Sequence, residues 1–90
     1  MAKFNKRESL VIVNALYEQT KKSVEYIKGI EESGKNPLFT CSYAYKEGLS
    51  IIYNVLEKSV KGSDEFVSNL IEELEGEYME AQEKDLLSVV

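Results

Sequence analysis

Ninety residues, 43% apolar and 30% charged with a net charge of −5, describe one small folded domain rather than a disordered segment. The absence of histidine and the single cysteine remove Ser–His and Cys–His nucleophile pairs, the usual general base near neutral pH, His or multi-Cys metal sites, and any intramolecular disulfide. Leu10 to Val13 is too short an apolar run for a membrane span, which needs about 20 residues, and no charged-then-apolar leader opens the chain. The cytoplasm is the expected compartment.

One proline, five glycines and abundant Glu, Lys and Leu favour helices over a sheet, in which turn residues would recur about every 8–12 positions. The fold class expected is therefore all-α: a three-helix antiparallel bundle with up-down-up connectivity. A dimer formed through its two long helices is the variant of this fold that the broad apolar faces suggest.

The first helix is predicted over about residues 5–33. Asn5 and Glu8 have the spacing of a capping box, Gly34 suits the left-handed position beyond the end, and Pro37 forbids continuation. At 100° per residue, Leu10, Val13, Leu16, Val24, Ile27 and Ile30 share an arc of about 160° that also takes in Thr20 and Ser23. So wide a stripe points to two packing partners.

The second helix is predicted over about 40–61, with Cys41, Tyr45, Leu49, Ile52, Val55 and Val60 on one side and Lys46, Glu47, Asn54 and Lys58 on the other. Its apolar arc is the widest of the three, near 200°, so it belongs at the centre. Gly48 lies on this apolar side, where a glycine costs about 1 kcal/mol relative to alanine, and implies close approach of a neighbouring backbone. Gly29 and Gly76 face solvent in their helices and have no such reason. Cys41 on the apolar side reads as a small hydrophobe.

Gly62 and Ser63 are expected to end one helix and cap the next. The third helix is predicted over about 63–84, with Phe66, Val67, Leu70, Ile71, Leu74, Tyr78 and Ala81 inward. The tail, 85–90, breaks the pattern, because Leu86 and Leu87 would point away from the core of a continued helix.

Charge is distributed unevenly. Residues 1–62 carry a net +3 and residues 63–90 a net −8. Glu73, Glu77 and Glu80, with Glu72, Glu75 and Glu83 nearby, recur at i+3 and i+4 spacing on what is expected to be the outer face of helix three. Lys3, Lys6 and Arg7 are the cations expected near it. The Glu-x-x-His pairs of a di-metal bundle and the glycine-centred loop of an EF-hand are both missing, so neither a metal nor another cofactor is expected.

A helix-turn-helix reader would bring these carboxylates against phosphates, and one arginine leaves little for reading guanine. Direct nucleic-acid binding is therefore not expected. The function expected is that of a small non-enzymatic regulator or inhibitor, of a kind phages and mobile elements encode, that binds a basic protein partner. The candidate contact residues are Glu72, Glu73, Glu77, Glu80 and Glu83, together with Tyr26, Tyr43, Met79, Leu86 and Leu87. Two alternatives stand beside it: a bundle of the bacteriocin-immunity type, on size and expected architecture alone, or an assembly subunit that only oligomerises.

Overall fold

The computed structural model describes residues 3–60 and 65–88, with side chains as far as Asp85. It is an all-α bundle of three helices, α1 (Lys6–Glu32), α2 (Cys41–Glu57) and α3 (Glu65–Ser88). Side-chain contacts give the directions. Cys41 Sγ lies 3.8 Å from Glu31 Oε1, and Ser9 bonds to Ser59, so α1 and α2 run antiparallel. Ser42 meets Asp85 while Tyr53 meets Glu75, so α2 and α3 also run antiparallel. The shortest helix is the middle one: α2 packs along both neighbours, which touch each other less.

Each start and stop has a local cause. The Asn5 carboxamide accepts from Glu8 N at 2.7 Å and the Glu8 carboxylate accepts from Asn5 N at 3.0 Å, the reciprocal box its sequence promised. Gly34 adopts φ +83°, a conformation that only a residue without Cβ enters cheaply. The Thr40 hydroxyl caps α2 by accepting from Tyr43 N at 3.2 Å.

The core is a single cluster to which each helix contributes one completely enclosed side chain: Val13, Ile52 and Leu74. The molecule is elongated, 46 × 21 × 18 Å with a radius of gyration of 14.8 Å, against about 12 Å for a compact chain of this length. The 27-residue α1, about 40 Å long at 1.5 Å per residue, sets that long dimension.

At Gly48 the neighbour that comes close is the Thr20 side chain, not the backbone that its position on the apolar side implied. A Cβ built there would lie 2.1 Å from Thr20 Oγ1 and 3.1 Å from Thr20 Cβ. Thr20 is buried, stiff at χ1, and held by donation from its hydroxyl to Leu16 O at 2.8 Å. The threonine therefore occupies the space an alanine would need, and the glycine lets α1 and α2 close. Among the described residues, no atom beyond the helix's own backbone stands within 4 Å of a Cβ built at Gly29 or Gly76, as their solvent-facing positions suggested.

Three expectations need correction. The second helix stops at Glu57 rather than near 61. Phe4 N donates to Lys58 O and Val60 N to Phe4 O, both at 2.9 Å, so Phe4 and Ser59 form a parallel bridge. Ser59 is buried, accepts from the Ser9 hydroxyl at 2.5 Å, and donates to Val55 O at 2.7 Å. Bonds from the N-terminal segment replace those a further helical turn would make.

The third helix runs on to Ser88 instead of ending near 84. The Asp85 carboxylate accepts from the Ser42 hydroxyl and, at 3.4 Å, from Ser42 N. It thereby brings negative charge to the start of α2, whose own first turn has none, and anchors the last turns of α3. Val60 and Phe66, both placed inward, are also well exposed. The cap expected at Gly62 and Ser63 lies outside the described residues.

Candidate partner-binding surfaces

The carboxylates of α3 do not form one outer ladder. Glu73 and Glu77 turn towards α1: the Tyr17 hydroxyl donates to Glu73, and Lys21 Nζ meets Glu77 Oε1 at 2.5 Å while lying 5.9 Å from the centre of the Tyr17 ring. Glu75 turns the other way and accepts from the Tyr53 hydroxyl of α2 at 2.8 Å. The expectation that Glu77 lies on the outer face is therefore corrected, since its side chain is half-buried in the seam, while Glu73 stays exposed but is tied to α1. They border the apolar stripe of α3, and packing against α2 swings that border onto α1. The cation they meet is Lys21, not Lys3, Lys6 or Arg7.

This polar seam favours neutral phenols and a charged lysine. Donation to the Glu73 carboxylate, with some burial, pushes the Tyr17 pKa up, and donation to Glu75 does the same for Tyr53. Burial, then the nearby Glu77 carboxylate, raises Tyr45 further. The hydrogen bond to Glu77 raises Lys21, against the opposing effect of burial. Glu77 Oε2 is enclosed without a donor in hydrogen-bonding geometry among the described residues, and its carboxylate raises the pKa of both Tyr45 and, more weakly, Tyr17.

Beside this seam runs an open groove of about 500 Å³, with Lys21, Lys28 and Glu31 on one wall, Glu77, Glu80 and Lys84 on the other, and Tyr45 below. Both walls carry charges of both signs. Cys41, at the same place, has its thiol pKa raised by burial first and by the Glu31 carboxylate second, which makes it a poor nucleophile at neutral pH. Among the described residues no three His, Cys, Asp or Glu side chains converge as a metal site would require. No helix among them is long and apolar enough to cross a membrane.

What remains outermost on α3 is narrower than the ladder. Glu65, Glu72, Gly76, Met79 and Glu83 are exposed and fall within an arc of about 60° at 100° per residue. Glu80 is also exposed, at the edge of the groove. Glu72, Glu80 and Glu83 have no hydrogen bond or ion pair with another described residue. Leu86 and Leu87 belong to the backbone of α3, but their side chains lie outside the described residues.

A second exposed surface lies on the α1–α2 side. Tyr26 and Tyr43 are both exposed, and Tyr43 stacks on Phe39 with centroids 5.0 Å apart and planes 13° from parallel. Leu38 and Phe39 complete this surface, and neither was singled out from the sequence. The signal for them was an apolar pair directly after Pro37, in a connection where no helical period calls for one. Comparison with protein-family models, curated proteins and solved structures gives no significant match for this chain.

Proposed function

We propose that this protein is a small non-enzymatic regulator or inhibitor that acts by binding another protein, and that the outer face of α3 is the surface that meets a basic partner. The observation that carries this reading is the stripe of Glu72, Met79 and Glu83 around Gly76. Its carboxylates are exposed and make no hydrogen bond or ion pair with another described residue, whereas Glu73 and Glu75, also exposed, and the half-buried Glu77 are bonded within the bundle. Gly76 supports it from another direction. A glycine within a helix costs about 1 kcal/mol relative to alanine, and among the described residues nothing beyond the helix's own backbone comes within 4 Å of a Cβ built there. A bare site in the middle of an acidic stripe lets a partner's long basic side chain lie close to the helix backbone. Acidic charge of this density also steers a cationic partner from a distance, with a rate that falls as salt rises.

The test is capture from a bacterial lysate at low and at high salt by the wild type and by Glu72→Lys/Glu83→Lys, with helical content followed by circular dichroism. A basic protein held by the wild type, released by salt and not captured by the equally helical variant is the expected result. If both proteins retain the same set of partners, the outer face of α3 is not the binding surface.

A further inference from the structure

We infer that the exposed apolar face shared by α1, α2 and the loop between them is where a second copy of this chain docks, giving a two-fold homodimer. The face is continuous. One groove of about 510 Å³ contains Tyr26, Ile30, Leu38 and Phe39, an adjoining one contains Tyr43 and Ile51, and Gln19, Ser23, Ile27 and Phe39 are common to both. It uses none of the α3 residues assigned above, so it stands or falls apart from that reading.

The area suits a dimer. Leu38 is 95% exposed, Tyr26 72%, Phe39 55%, Tyr43 47% and Ile51 41%. Taking about 200 Å² for a large side chain fully open to water, these five alone leave on the order of 600 Å² of mostly apolar surface uncovered. That is the upper end of what a monomer tolerates, about 300–600 Å². A stable interface takes about 800 Å² from each partner, and the polar rim of Gln19, Lys22, Ser23 and Glu47 can supply the remainder.

The charges select another copy of the same chain as the occupant. Lys22 flanks the face on α1 and Glu47 flanks it on α2. The contact of Thr20 with Gly48 sets the two antiparallel helices in register, so Lys22 and Glu47 lie at nearly the same height along the bundle. A two-fold axis parallel to the helices preserves height and places α1 of one copy over α2 of the other. Lys22 then faces Glu47 of the partner subunit, and the same pair forms again across the axis, which is the self-complementarity an isologous interface requires. The geometry also holds the net −7 of α3, Glu65–Ser88, on the two outer sides of the dimer, where like charges repel least.

Sedimentation equilibrium of the full chain, from micromolar to millimolar concentration, reads the proposal directly. The wild type is expected at twice the 10.2 kDa chain mass. Leu38→Asp, at a site that contributes nothing to the core, is expected to weaken the dimer roughly tenfold or more with unchanged helical content. Lys22→Glu and Glu47→Lys are each expected to weaken it roughly fivefold, and the two together to restore it. A wild type that stays monomeric at millimolar concentration overturns the inference and leaves the face to a different protein. A dimer indifferent to Leu38→Asp, or one that the double charge swap does not restore, overturns it as well.

Discussion

The two seams that join α1 to the rest of the bundle are built on opposite principles. Against α2, α1 closes by subtraction: Gly48 presents no side chain, Thr20 fills the space, and the helices approach until apolar groups mesh. Against α3, α1 reaches across with long polar side chains, Tyr17 to Glu73 and Lys21 to Glu77, and the helices touch much less. A close-packed seam is sensitive to volume. A bridged seam is sensitive to pH and salt. The same bundle thus carries one contact that a methyl group can disturb and another that a titration can.

Substitutions break this comparison in a definite order. Ile52 is fully enclosed at the centre, where all three helices meet, so Ile52→Ala is expected to cost about 2–5 kcal/mol in urea unfolding, independent of salt. Gly48→Ala gains helix propensity but forces a Cβ into Thr20; a net loss of about 1–3 kcal/mol is expected. Adding Thr20→Ala to that variant should recover part of the loss, because the two changes share one space. A Gly48→Ala protein as stable as the wild type would show that the helices can separate at no cost.

The bridged seam is expected to give smaller effects that depend on conditions. Lys21→Met should cost about 1 kcal/mol or less, since the Lys21 and Glu77 side chains are 35% and 28% exposed, and the loss should shrink in high salt. Tyr17, Tyr45, Tyr53 and Lys21 all have raised pKa values. Folding therefore holds their protons more tightly than the unfolded chain does. The stability this represents is complete below the unfolded values of about 10 and is lost as pH climbs through the folded ones. Unfolding free energy is accordingly expected to decline above about pH 10, with part of the tyrosinate absorbance appearing only beyond the ordinary tyrosine range. Lys21→Met and Tyr17→Phe should flatten that decline, whereas Gly48→Ala should leave its slope unchanged.

The smallest expected change is a gain. Gly76→Ala meets no neighbouring atom and should stabilise the bundle by about 0.5–1 kcal/mol. If Gly76 serves partner binding, the same variant loses capture while it gains stability, a combination that fraying of the helix would not produce.

Much of the architecture was legible because it is encoded locally. The capping box at Asn5 and Glu8, the left-handed glycine at 34 and the enclosed positions of Val13, Ile52 and Leu74 each follow from residues within a turn or two of one another. The length of α2 was not legible, since Phe4 ends it from more than 50 positions away. Nor was the end of α3, which depends on Asp85 finding Ser42. The candidate surfaces divided in the same way. Exposure of Tyr26, Tyr43, Met79, Glu72 and Glu83 follows from helical phase, while Leu38 and Phe39 lie in a connection where phase has no meaning.

By itself, then, the order of residues determined three amphipathic helices, their approximate limits, a central second helix with a glycine turned towards a neighbour, and a marked excess of acid in the last third of the chain. Tertiary structure alone decided which of those acids are bonded to a neighbouring helix. Glu73 and Glu77 sit on the boundary of an apolar stripe, where a rotation of a few tens of degrees moves a side chain from solvent into a seam. That rotation is set by the helix packed alongside, here α2 pressing α3 against Tyr17 and Lys21, and no pattern within α3 contains it.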